Sequence, residues 1–106
     1  MTVLSPKLLA EGQVASSEGA IYTAPASTST YLKTITFSNS SAISQTLIVY
    51  IRNGAGTSRV IGRATLLQNW RYEFDGAMVL ETGDSLRATT TTANVIDYTV
   101  HGVEQV

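Results

Sequence analysis

Short runs rich in β-branched and aromatic residues recur along this chain about every 8–12 residues, each closed by Gly, Pro, Asn or Ser. The rhythm leaves little room for any other class of fold. The runs are AIYTAP (Ala20–Pro25), TYLKTITFS (Thr30–Ser38), QTLIVYIR (Gln45–Arg52), RVIGRATL (Arg59–Leu66), NWRYEF (Asn69–Phe74), AMVLE (Ala77–Glu81), SLRATTTT (Ser85–Thr92) and NVIDYTVHGVE (Asn94–Glu104). Roughly eight short strands with turn chemistry between them predict an all-β chain. The expected architecture is an antiparallel β-sandwich, jelly-roll-like, with a small barrel as the other closed arrangement. No segment carries a convincing helical period. SPKLLAEG, with Pro6 at its start, is either a single helical turn or an extended arm.

The alternation within each run assigns its faces. Tyr31, Ile35 and Phe37 fall on one side of the second run. In QTLIVYIR, Leu47, Val49 and Ile51 point one way while Ile48 and Tyr50 point the other, so both faces are apolar. A strand apolar on both faces is covered on both sides, here by the core and then by a neighbouring subunit or the chain's own loops. NWRYEF places Trp70, Tyr72 and Phe74 on one side, and NVIDYTVHGVE places Ile96, Tyr98 and Val100 opposite Asp97, Thr99 and His101. Gly62 marks a possible bulge, and NGAGTS (Asn53–Ser58) a hairpin tip. Residues 1–19 are weakly patterned and read as an N-terminal arm or a frayed terminus, with the sandwich spanning 20–106.

A chain of 106 residues supports one domain with one core. Charged residues make up 14%, well under the usual quarter, and Ser and Thr fill the gap. Such a surface is easily desolvated against other protein, although a Thr-rich exposed strand face would look the same. With seven basic and eight acidic residues there is no basic field, so nucleic acid is not an expected partner. The absence of cysteine removes disulfides and thiolate metal sites. The first residues lack the basic start and long apolar run of a signal peptide, and no stretch has the length of a membrane span, so synthesis in the cytoplasm and no membrane partner are expected.

The residues that carry chemistry are sparse. A cupin-type metal site takes several histidines and a glutamate, and His101 is the single histidine. It lies opposite the apolar side of its strand, as an exposed or interface residue. Glu73 and Asp75 share a parity with Arg71, which makes a solvated strand face a better reading than paired acid–base carboxylates. Asp97 faces outward, where an arginine of another strand could pair with it. There is no Gly-x-Ser-x-Gly elbow, and Gly54-Ala55-Gly56 lacks the Lys-Ser/Thr of a phosphate loop. Asn39, Asn53, Asn69 and Asn94 sit in turns or at strand starts, and NSS (Asn39–Ser41) matches a glycosylation sequon by chance. Tyr50, Trp70, Tyr72 and Tyr98 either fill a core or line a sugar platform. No catalytic residue, cofactor or metal is expected, and the chain does not read as an enzyme.

MVLETGDSLRA (Met78–Ala88) reverses at Gly83-Asp84. Glycine gives the backbone freedom for a tight turn, and aspartate can bond its own following backbone. The pair is expected to be a structural turn that sets the register between two late strands.

Two segments resemble small all-β virion proteins of tailed bacteriophages: AIYTAPASTSTYLKTITFSNSSAISQTLIVYIR, and FDGAMVLETGDSLRA with the closing DYTVHGVE. The likeness lies in strand-and-turn phrases and transfers no functional residue. It implies a non-enzymatic structural part of the virion, first a capsid decoration (cement) protein that stabilises the assembled head. Alternatives are the receptor- or glycan-binding head of a tail fibre and a head–tail connector or tail component. No fibre-forming repeat precedes the strands, which favours decoration. The implied partners are copies of the same chain, as a trimer at local three-fold points, and the major capsid protein or other virion proteins. Leu8, Leu9, Ile48 and Tyr50 are the expected contact residues.

Overall fold

A computed structural model describes residues 7–75 and 78–105. Nine strands run through them: β1 (Lys7–Gln13), β2 (Gly19–Thr23), β3 (Ser29–Asn39), β4 (Gln45–Arg52), β5 (Ser58–Leu66), β6 (Arg71–Phe74), β7 (Met78–Leu80), β8 (Ser85–Thr90) and β9 (Ile96–Gln105). All pairings are antiparallel. One sheet has the order β1-β9-β3-β6, with β7 also on β3; the other has the order β2-β8-β4-β5. Because β6 and β7 pair with successive stretches of the same side of β3, they act as one interrupted edge strand. Apart from that interruption, β4–β5 is the single hairpin within a sheet, and every other connection crosses between sheets. This is the wound order of a jelly roll, so the all-β sandwich expected from the strand rhythm is what forms.

The core lies between the sheets. Leu32, Ile35 and Phe37 of β3, Leu47 and Val49 of β4, Leu86 of β8 and Val100 of β9 are essentially inaccessible. Each such side chain stabilises the fold by about 1.5–3 kcal/mol through burial. Tyr72 and Phe74 of β6 lean onto Gly62 of β5, where a Cβ would lie 3.2 Å from the Tyr72 hydroxyl, and this closes one side of the sandwich. The bulge suggested by Gly62 is present, with Ile61 as the extra residue between the Val49–Gly62 and Tyr50–Val60 pairs.

Three expectations need correction. First, Lys7–Gln13 is not arm or helical turn but β1, an edge strand paired with β9; Val14 then enters the core. The remainder of the expected arm before Lys7 lies outside the described residues. KLLAEGQ has no β-branched residue, so local propensity hides a strand that its neighbour holds in place. Second, Tyr31 does not share a face with Ile35 and Phe37. A bulge at Lys33, between the Leu32–Gly102 and Thr34–His101 pairs, inverts the alternation and turns Tyr31 outward. Third, Trp70 precedes β6 and is 56% exposed, while Tyr72 and Phe74 turn inward. Asn69, at φ 63°, sits in the left-handed region and breaks the strand there.

The Gly83-Asp84 turn joins β7 of one sheet to β8 of the other, so it is an arch between layers. Gly83 has φ 88° and donates its N–H to the Ala24 carbonyl at 3.1 Å. Asp84 does not bond forward. Its carboxylate accepts from the backbone N–H groups of Glu81 and Gly54, each at 3.1 Å, tying the arch to the β4–β5 hairpin tip. A Cβ at Gly83 would meet nothing within 4 Å, so the expected cost of Gly83→Val comes from backbone strain at positive φ rather than from a clash at Cβ. We expect that variant to lose about 1–2 kcal/mol, read as a fall of roughly 5–10 °C in melting temperature by circular dichroism. An unchanged melting temperature would remove the special role of this turn.

Candidate functional site

The four residues expected to make contacts do not form one surface. Leu8 of β1 pairs with His101 and lies outward, 46% exposed. Leu9 is the extra residue of a bulge in β1 and packs inward beside Gly102. Ile48 and Tyr50 lie on the outer face of the opposite sheet. There Ile48 is flanked by Arg63 and Thr89, and Tyr50 by Val60 and Arg87. The Glu18 carboxylate pairs with Arg87 at 2.7 Å and also accepts the Ser58 hydroxyl of β5, so it straddles β4. These two hydrogen bonds, Ser58 first and Arg87 second, hold the Glu18 carboxyl below its ordinary range. Ile48 and Tyr50 are therefore half-buried by this chain's own side chains.

The sparse chemistry stays dispersed. His101 is exposed. Glu73 lies 3.7 Å from Arg71 on the solvent side of β6. Asp97 accepts from the Gln13 amide at 3.1 Å, a partner on the adjacent edge strand, not the arginine expected from sequence. Among the described residues no group of three His, Cys, Asp or Glu is arranged to hold a metal ion. The most perturbed titrating group is Tyr22, pushed up to about 12, first by burial and then by its 2.6 Å bond to Glu104. Because the Tyr22 proton goes to Glu104, the Thr30 hydroxyl donates to the Tyr22 oxygen. Glu104 is held low by Lys7, 2.8 Å away, and by Tyr22. This chain of groups ties β1, β2, β3 and β9 together at one end.

What the surface does carry is exposed apolar residues, and apart from Leu8 and Val60 the large ones gather in two places. The first is the end of the sandwich formed by the β3–β4 and β5–β6 loops, where Ile43, Leu67 and Trp70 are 70%, 41% and 56% exposed. One buried side chain organises both loops. The Asn39 Nδ2 donates to the carbonyls of Ile43, Leu66 and Leu67 at 3.0, 2.8 and 3.3 Å, and its Oδ1 accepts from Ser41 N–H at 2.9 Å. Its backbone N–H donates to the Trp70 carbonyl, and its carbonyl accepts from Asn69 N–H, each at 2.9 Å. Asn39 is fully buried, so the NSS sequon is architecture, with no room on that nitrogen for a glycan. A polar residue ending an apolar strand was the only signal in the sequence, and it does not separate a hub from an ordinary turn.

The second place is the outer face of the first sheet. Val103, Tyr31 and Val79 stand side by side on β9, β3 and β7. The sequence hides this row because it exists only through the Lys33 bulge.

No family model matches this chain, and no curated protein matches it. Among solved structures it is similar to a pentameric capsid protein isolated from metagenomic phage sequences, in two crystal structures. Each is 16% identical with a TM-score of 0.43 and covers 93% of this chain. The match takes in 62% and 64% of those chains, so this chain spans less than two thirds of their length.

Proposed function

We propose that this chain is a non-enzymatic structural protein of a bacteriophage virion and, within that class, a capsid decoration protein that binds and stabilises the assembled head. The observation that carries the reading is the end cluster of Ile43, Leu67 and Trp70, held by the buried Asn39 hub. Large apolar side chains presented together on a monomer mark a protein contact surface. Tryptophan is a common anchor of such contacts. Loops already fixed by a buried hub lose little freedom on docking, which leaves more of the contact energy for affinity. The chain as a whole is poor in charge, with 14% charged residues, so few charges need be desolvated when such a surface is buried. The jelly-roll order and the tailed-phage strand-and-turn phrases support the same class, since this fold is common in viral shells.

A protein that binds the assembled shell and not its free subunits stabilises the shell by mass action. The partner is then the major capsid protein, and the assembly is a homotrimer matched to local three-fold points. Cryo-electron microscopy of the virion tests this directly. Density for this fold over the head, end cluster inward, is the expected result; a few copies confined to the tail would overturn it. Trp70→Ser should weaken binding to heads at least about tenfold while leaving the melting temperature within about 2 °C, because an exposed residue contributes little to folding.

A further inference from the structure

The outer face of the first sheet ends in two parallel rows of different chemistry. Val103, Tyr31 and Val79 form the apolar row, with Tyr31 directly opposite both valines. Two positions further along β3 and β9 the same face carries Ser29 opposite Gln105, and the Ser29 hydroxyl donates to Glu81 Oε2 at 2.7 Å. Residues two apart on a strand are about 6.5–7 Å apart, roughly the width of a sugar ring. A concavity of about 350 Å³ is lined by Tyr31, Val79, Val103, Ser29 and Gln105. That is within the usual range for a small-ligand site. A second, polar hollow continues it past Ser29 to Glu81 and Thr82.

We propose that this groove binds a neutral saccharide, with one pyranose ring stacked on Tyr31 and its hydroxyls turned to Glu81 and Gln105. A pyranose has a flat C–H face and a polar rim, and it needs an aromatic surface and hydrogen-bonding groups side by side. Tyr31 is 43% exposed and flanked by two valines, which supplies the first. Glu81 supplies the second. Ser29 orients one of its carboxylate oxygens, and the other, with no hydrogen bond among the described residues, can accept from a sugar hydroxyl. The Gln105 amide adds both a donor and an acceptor. Glu81 is the only charged residue in the two rows, which selects against acidic sugars. Three apolar side chains fall well short of the roughly 800 Å² per partner that a stable protein interface buries, so the groove fits a small ligand better than a second chain. This site is at a different place from the loop cluster assigned to the shell and does not depend on that assignment.

The test is saturation-transfer NMR of the full chain with methyl glucoside, methyl galactoside, methyl mannoside and N-acetylglucosamine at millimolar concentration. We expect transfer to the C–H protons of one ring face for at least one sugar. Affinity should fall about tenfold in Tyr31→Ala, and binding should be lost in Val79→Asp. Trp70→Ser, distant from the groove, should bind normally. Both groove variants alter exposed side chains, and a melting curve of each checks that it folds. No transfer from any of the four sugars would overturn the proposal. So would transfer that survives both groove variants.

Discussion

Gly102→Ala is expected to lower the stability of this protein by about 3 kcal/mol or more, a large share of the roughly 5–15 kcal/mol that holds a small domain together. Gly102 lies on β9 at the level where both neighbouring strands carry a bulge, Leu9 on β1 and Lys33 on β3. A Cβ on Gly102 would run into the backbone oxygen of Tyr31 and lie 3.0 Å from Leu9 Cδ1. A backbone oxygen in a paired strand cannot rotate away as a side chain can, so relief requires unmaking the bulge. The measurement is urea unfolding followed by circular dichroism, with His101→Ala as the neighbouring control. That exposed position should change stability by no more than about 0.5 kcal/mol. If the two variants unfold at the same urea concentration, the pinch at Gly102 is not what shapes this end of the sheet.

Asn39→Ala should cost about 3–4 kcal/mol, since truncation strands the buried carbonyl of Leu66, the partly buried carbonyls of Ile43 and Leu67, and the N–H of Ser41. Every buried side-chain nitrogen and oxygen among the described residues has a partner, so the protein has no slack elsewhere at this site. Asn39→Asp separates hydrogen bonding from packing. It keeps the shape but offers no donor to the three carbonyls, and it places a charge in a fully buried position. It should therefore be at least as damaging near neutral pH and recover partly in acid, where protonation restores one donor and removes the charge. Denaturant titrations at pH 7 and pH 4 read both effects. A loss below about 1 kcal/mol for Asn39→Ala would mean that the two loops hold their shape without the hub.

The sheet faces were legible wherever alternation ran unbroken. In β4 it separates Leu47 and Val49 from Ile48 and Tyr50 as the structure does, and in β9 it separates Ile96 and Val100 from Asp97 and His101. It fails where one residue is added. Sequence periodicity cannot register the Lys33 bulge, because the extra residue is fixed by the pairing with β9 and the space at Gly102. Local propensity likewise fails for β1, whose conformation comes from its neighbour. Asn39 and Gln45 show a further limit. Both are buried polar residues at strand ends, and Gln45 Oε1 accepts the Thr92 N–H at 2.8 Å from a loop 47 residues away. Their partners are brought together by the fold, so composition near Asn39 or Gln45 carries no trace of them. The exposed cluster of Ile43, Leu67 and Trp70 is hidden for the same reason, since it is assembled from two loops that Asn39 joins.

The bulge at Lys33 also divides the protein into a part that can drift and a part that cannot. Because the extra residue absorbs the change of phase, the side chains of Tyr31, Val79 and Val103 point away from the core at no expense to Leu32, Ile35 or Phe37. That outer row can be rewritten one substitution at a time, changing what the surface recognises while the interior stays the same. The joint beneath it has no such freedom. Variation in a lineage carrying this fold would then run along the outer row and stop at Gly102.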